Sequence, residues 1–321
     1  MKGKTAVLLV NLGTPDSPKT FDVATYLIQF LNDKRVIDIP WLLRKILVNA
    51  LIIPFRASKS AKIYKDLWTE KGSPIIFHTK NLCEKLQSIL GDNYHVAYAM
   101  RYKNPSLKKT LISWEGKNFK QIITLPLFPH YASATNGSVF EEAMDVIKKW
   151  WVIPELNFVN QFYNEEFYLK GFEEKGKAHN FKEYDHVLFS FHGLPERHVD
   201  KVYKNGLCKD NDCENGINDE NIYCYKATCY ETAIQLAKRF NLKKEDYTVG
   251  FQSRLGSGWI EPFSDKIIID LAKKGAKKLL VFSPAFVADC LETIIEIGDE
   301  YQELFEEHGG EKVQLVESLN S

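Results

Sequence analysis

The sequence lacks an excess of charge of either sign: 42 Lys and Arg stand against 42 Asp and Glu in 321 residues. A balanced chain projects no field for a polyanion, which excludes nucleic acid as the expected partner and favours a small, specific substrate. It has no run of about 20 apolar residues, so no segment reads as a membrane-spanning helix. Its first apolar run, in MKGKTAVLLVNLGTPDSP, is short, ends in Gly-Thr-Pro-Asp and lacks the small-x-small pattern of a cleavage site. That start reads as a buried first strand of a cytoplasmic protein rather than a secretion signal. Cysteines are few, six in all, and four crowd into CKDNDCENGINDENIYCYKATC at 208–229. In a reducing cytoplasm such a cluster points to metal ligation rather than disulfides. A chain of this length buries its cores without crosslinks.

Apolar residues at 45% and aromatics at 13% describe an ordinary globular protein. Short β-branched and aromatic runs recur along it: AVLLVNL at 6–12, HVAYAM at 95–100 and KQIITLPLF at 120–128, then HVLFSFHG at 186–193, YTVGFQ at 247–252 and KKLLVFSPAF at 277–286. Amphipathic helical patterns such as FEEAMDVIKKW and CYETAIQLAKRF lie between them, with acidic starts and basic ends that suit the helix dipole. Alternation of this kind implies parallel sheets covered on both faces. The halves match in detail: LLVNLGTP pairs with LFSFHGLP, YAMRY with FQSRL, and LPLFPHYA with FSPAFVAD. The expectation is an α/β protein of two similar lobes, residues 1–160 and 161–321, the second carrying a cysteine-rich insertion at about 200–229. Ligands in such folds bind beyond the carboxyl ends of the strands, which directs attention to the residues following each run.

His192 ends an apolar run and precedes a Gly and a Pro that prescribe a tight turn, which places an imidazole at a strand end rather than in the core. In SPAFVADCLETIIEIGDEY, Glu292, Glu296 and Glu300 follow at four-residue spacing and line one helical face. Leu291, Ile294, Ile295 and Ile297 surround them, so Glu292 is expected to be partly buried, and a buried carboxylate wants a proton or a cation. A histidine and a glutamate at corresponding points make an incomplete N and O ligand set for Fe(II), Zn(II) or Co(II), suited to passing a metal on rather than retaining it.

The apolar stretch WLLRKILVNALIIPF at 41–55 contains Trp41, Ile46, Leu47, Leu51 and Pro54; it reads as a buried helix or as a greasy lip over an apolar ligand or a membrane surface. Arg35 and Arg101 could hold carboxylates of a flat apolar ligand by bidentate contacts, or form surface ion pairs. Cys208, Cys213, Cys224 and Cys229 make a four-thiolate set, for which spacing favours zinc over a [2Fe-2S] cluster. Cys83 and Cys290 lie apart and read as small core residues.

Taken together, LLVNLGTP, Arg35 in FLNDKRVI, AMRY at 99–102, LPLFPHYASATNGS, SFHGLP, FQSRLGSGWIEP and SPAFVADCLETIIEIGDEY with VESLN resemble the ferrochelatase family over essentially the whole chain. The resemblance implies two Rossmann-like, chelatase-like lobes with the active-site cleft between them, and insertion of Fe(II) into protoporphyrin IX to form haem. It implies that His192 and Glu292 act on the metal and the pyrrole protons, and that Glu296 and Glu300 form an acidic relay. By motif it assigns Arg35, Arg101, Tyr102, Tyr131, Ser133 and Trp259 to porphyrin binding, with Phe128 as a further wall. It also implies a [2Fe-2S] cluster on the four cysteines, reversing the preference for zinc. A related chelatase acting on coproporphyrin or another tetrapyrrole, and a non-catalytic haem carrier or iron sensor on the same scaffold, are the rival readings. Peripheral membrane contact and oligomeric state stay open. The family continues past its SLN motif into a further helix, whereas this sequence ends at Ser321, so the second lobe is expected to be closed differently or cut short.

Overall fold

The computed structural model describes residues 3–254 and 256–321. It divides into two compact units, the first comprising residues up to Phe128 with Ala132–Asn160 and Asn320–Ser321, the second Pro129–Tyr131 with Gln161–Leu319.

In the first unit, strands β1 (Thr5–Gly13), β2 (Tyr94–Tyr102), β3 (Gln121–Pro126) and β4 (Glu155–Phe158) form a parallel sheet in the order β2-β1-β3-β4. β1 is central and almost wholly buried, which explains why its sequence is continuously apolar instead of alternating. β3 has the alternating burial of a strand with two unlike faces. Ala6, Leu8 and Val10 of β1 pack with Leu107, Leu111, Val139 and Val146 from two of the covering helices, Leu107–Ile112 and Ser138–Ile147.

The second unit repeats the plan. β5 (His186–His192), β6 (Tyr247–Gln252), β7 (Lys278–Phe282) and β8 (Lys312–Leu315) are parallel in the order β6-β5-β7-β8. The correspondence extends past the strands. Met100 donates its N–H to the Pro105 carbonyl at 2.7 Å, and Phe251 donates to that of Pro262 at 2.8 Å. A π-helical stretch follows β3 at Ser133–Gly137, and another follows β7 at Glu292–Glu300. Phe189, Phe191, Phe251 and Phe282 are fully buried. Each such ring contributes roughly 2–3 kcal/mol on leaving water, so the loops at the strand ends hang on a rigid base.

Gly13 shows what the strand ends demand. Its φ is +110°, and a Cβ there would meet the Tyr102 carbonyl oxygen at 2.0 Å. Gly13→Ala is therefore expected to cost about 2–3 kcal/mol, read as a lowered denaturation midpoint with an unchanged slope; an unchanged midpoint would show that the strand end tolerates a side chain.

Candidate active site

The carboxyl ends of β5 and β6 and the stretch after β7 carry His192, Glu292 and Glu296. His192 is the last residue of β5 and is half-buried. Its Nδ1 lies 2.6 Å from the Gly193 carbonyl oxygen. A carbonyl only accepts, so Nδ1 carries a proton and donates it there, which leaves Nε2 as the ring nitrogen not engaged by that contact. The turn is held by the Gly193 N–H on the Gln252 carbonyl at 2.8 Å, which ties the end of β5 to that of β6. The Trp259 ring lies against Gly193, and Ile260 donates its N–H to the Leu194 carbonyl at 2.9 Å, so Trp259 stands directly beside the histidine turn.

Glu292 and Glu296 lie on the π-helical stretch after β7, whose i→i+5 hydrogen bonds enclose more than four residues per turn and keep a four-residue series near one line. Thr293, in the first turn of this stretch, ties it to the loop before it: its hydroxyl accepts the Cys290 N–H at 2.9 Å. Glu292 is half-buried, and its backbone carbonyl accepts from Gln252 Nε2 at 2.9 Å. Glu296 is held harder. Ser253 donates its N–H to Oε1 at 2.7 Å and its hydroxyl to Oε2, Gln252 Nε2 donates to Oε2 at 3.2 Å, and Tyr301 reaches Oε1 at 3.4 Å. Burial raises the Glu296 carboxyl above its ordinary range; the Ser253 hydrogen bonds and the His192 charge work the other way, and the Glu292 charge adds to the rise. His192 and Glu292 thus both lie within electrostatic reach of Glu296. Glu300, the last of the series, is exposed.

Ser253 and Gln252 lie at a strand end flagged by sequence, but their role was not visible there. Ser253 adopts a φ of +63°, and this left-handed turn after β6 accompanies the donation of both its N–H and its hydroxyl to one carboxylate.

In the first unit the structure brings Arg35 and Ser133 together. Arg35 Nη1 donates to the Ser133 hydroxyl at 2.8 Å and Nε donates to Glu141 at 2.7 Å. Arg101 and Tyr102 are placed differently: both donate to Asp33 Oδ2 at 2.9 Å, and Ser138 donates to the same oxygen at 2.5 Å. Tyr102 is 2% exposed, with its ring edge-on to Phe30. Its phenol and ring are spent inside the unit, so of the six residues assigned to porphyrin contact, Tyr102 is corrected to a core brace, with Arg101 paired behind it. Phe128 is half-buried and packs on one side against the sheet core.

Burial alone would raise the Asp33 carboxyl, but the Ser138 hydroxyl, the Arg35 N–H and the Arg101 guanidinium together hold it below its ordinary value. A depressed carboxylate stabilises above its unfolded pKa and ceases to do so as pH falls through the folded one, so the first unit is expected to lose stability below about pH 4. Asp33→Ala, which removes the shared acceptor of Arg101, Tyr102 and Ser138 and leaves Arg101 with Glu142 at 3.7 Å, is expected to cost about 3 kcal/mol at neutral pH and to flatten that acid slope, both measurable by denaturation. An unaltered slope would remove Asp33 from this role.

Tyr131 is half-buried, with its ring 6.0 Å from Tyr223 of the cysteine insertion. The 41–55 stretch is not a buried helix. Trp41, Leu42, Leu43, Ile46, Leu51 and Phe55 are all exposed, Phe55 by 80%, along helices Trp41–Ile46 and Ile53–Leu67 and the π-helical turn between them. Together they make an exposed apolar face, with Val48 and Ile53 turned into the unit. Among the described residues no helix is long and apolar enough to cross a membrane.

His130 carries a signal that sequence alone did not expose. It is fully buried, ringed by Tyr163, Tyr168, Phe191 and Tyr225, and bonded to the Thr232 hydroxyl at 2.9 Å. Burial pushes its pKa down to about 3, so it is neutral and structural.

The cysteines divide. The sulfurs of Cys208, Cys213 and Cys224 are 3.5–3.7 Å apart and form the metal-competent group found among the described residues. Cys229 does not join them. Helix Tyr225–Arg239 starts one residue after Cys224, which puts Cys229 one turn in, on the face of Tyr225 and Thr232 that is buried in the core; its thiol bonds with Tyr225. Of the four sulfurs expected at one centre, the structure brings three into mutual contact. A [2Fe-2S] cluster asks for four thiolates, two on each iron, and this triangle does not offer that arrangement.

A family model described as Ferrochelatase matches residues 4–321. The ferrochelatase of Legionella pneumophila (strain Corby) is 45% identical over 98% of this chain and 94% of its own. That of Coxiella burnetii (strain Dugway 5J108-111) is 42% identical over 99% and 90%. Among solved structures, SirB from Bacillus subtilis with Fe3+ is similar at a TM-score of 0.53 and 12% identity, over 99% of this chain and 89% of that one, a likeness of fold alone.

Proposed function

The chain belongs to the ferrochelatase family, and from that premise we propose that it inserts Fe(II) into protoporphyrin IX, releasing two protons, with His192 as the base. The supporting observation is the tautomer: with Nδ1–H committed to the Gly193 carbonyl, Nε2 is free to take a proton, and imidazole has the basicity for that task near neutral pH. A free-base porphyrin bears two N–H protons that must leave as the two Fe–N bonds replacing them form, so a base at the ring is a requirement of the stoichiometry.

Glu292 supplies negative charge near that base, offsetting the dication's loss of water ligands and receiving protons in turn. Glu296, its carboxyl raised by burial yet clamped by Ser253, Gln252 and Tyr301, is the group next in line to receive a proton. Trp259 offers an aromatic face beside the histidine turn for a flat macrocycle. The Arg35 and Ser133 pair suits a carboxylate such as a porphyrin side chain, and Tyr131 adds a ring. No step of this chemistry runs through the cysteines.

Ser253 is a positioning residue in this scheme. Removing its hydroxyl takes away a contact that lowers the Glu296 pKa, so Ser253→Ala and Ser253→Gly are both expected to move the acid limb of the pH–rate profile upward. The two variants differ in backbone fit at φ +63° and hence in stability, so a shared displacement of the profile reports the hydroxyl and not the fold. Substrate choice is tested by anaerobic incubation with Fe(II) and either protoporphyrin IX or coproporphyrin III. Protoporphyrin is expected to be metallated; conversion of coproporphyrin alone would overturn that choice and leave the proton chemistry standing.

A further inference from the structure

We propose that the insertion binds one divalent cation of zinc's coordination preference through three thiolates, Cys208, Cys213 and Cys224, with Cys229 outside the ligand set. The three sulfur separations are 3.7, 3.5 and 3.6 Å. A tetrahedral ion with Zn–S bonds of about 2.3 Å sets its sulfurs ~3.8 Å apart, so the triangle matches one face of a single-ion tetrahedron. Two irons linked by sulfides would separate one thiolate pair from the other, and three sulfurs all at nearest-neighbour spacing do not fit that frame.

The surroundings suit a site of net charge −1, the sum of a dication and three thiolates. All three cysteines are buried. Tyr203 places its hydroxyl 3.1 Å from Cys213 Sγ, where it donates to a thiolate. Cys224 caps the 15-residue helix Tyr225–Arg239, whose amino-terminal N–H groups favour negative charge. The Cys208 N–H is held by Asp200 at 2.9 Å, fixing the strap where it leaves the helix Glu196–Asp200. A non-protein ligand would have to complete the tetrahedron, which makes this an open zinc site rather than the closed four-ligand kind. The ion would then clip the loop between Cys208 and Cys224 to the start of the buried helix, a structural task independent of the proton chemistry at His192.

The test uses the full chain, with metal and acid-labile sulfide measured after purification and after exposure to Zn(II) and dialysis. The expected result is one zinc per chain without sulfide, kept in Cys229→Ser and in His192→Ala, and lowered about tenfold or more in Cys213→Ser. Keeping the ion in His192→Ala separates this site from any metal bound at the active site. Two irons and two sulfides per chain, lost in Cys229→Ser, would overturn the proposal, as would failure of the wild type to retain zinc. Should Cys229→Ser not fold, Co(II) substitution of the wild-type chain decides the matter: thiolate-to-cobalt absorption of three-thiolate intensity supports the site, and four-thiolate intensity refutes it. These readouts do not involve haem formation, so they stand or fall separately from the proposed activity.

Discussion

His192→Ala is expected to lower the turnover number for iron insertion by about 10²–10⁴-fold, the usual contribution of a positioned general base. The loss should fall on kcat and leave the Michaelis constant for porphyrin within about threefold, because the base acts as the protons leave rather than as the ring binds. The fold gives a reason to read this as chemistry. The turn after β5 is secured by the Gly193 N–H on the Gln252 carbonyl and by Ile260 on the Leu194 carbonyl, all backbone contacts that the substitution spares. The imidazole itself bonds only to the adjacent Gly193 carbonyl through Nδ1 among its hydrogen bonds described above. A small change in melting temperature should therefore accompany a large change in rate. Full turnover in the variant would remove His192 from the role of base.

Glu292→Gln is expected to lower kcat by about 10²–10³-fold and to raise the Michaelis constant for Fe(II). A unit charge about 4 Å from a cation is worth roughly 4 kcal/mol at the effective dielectric of a protein surface, and partial solvation reduces that figure. The side-chain swap keeps shape and leaves the Glu292 carbonyl to accept from Gln252, so the structural cost should be slight. Since Glu292 and His192 both bear electrostatically on Glu296, the two substitutions should not be additive: His192→Ala with Glu292→Gln should lose less than the product of the single losses. Strict additivity would indicate two independent sites.

Much of this was legible in the sequence, for identifiable reasons. Buried parallel strands must be apolar on both faces, so LLVNL and LFSFH announced β1 and β5, and the matching order of motifs announced a repeated plan that the sheet orders β2-β1-β3-β4 and β6-β5-β7-β8 display. His192 and Glu292 were singled out because strand ends are where such folds place chemistry. What stayed hidden depended on distant or conformational facts. The hold of Ser253 on Glu296 spans 43 residues and relies on a left-handed backbone. The motif that assigned Tyr102 to porphyrin binding carries no sign of Asp33, 69 residues away, which takes its hydroxyl. Cys229 was grouped by spacing, which carries no information about a helix beginning at Tyr225 and turning that thiol into the core. The stretch at 41–55 has the same composition whether buried or bared to solvent, so only the three-dimensional arrangement could decide it.

The most direct test of the account is a single anaerobic turnover, with enzyme in excess over protoporphyrin IX, following haem absorbance and proton release together after Fe(II) is added. Release of two protons per haem formed, at a rate that collapses in His192→Ala while porphyrin stays bound, is the predicted result. Tight porphyrin binding by the wild-type protein with neither haem nor proton release would contradict it.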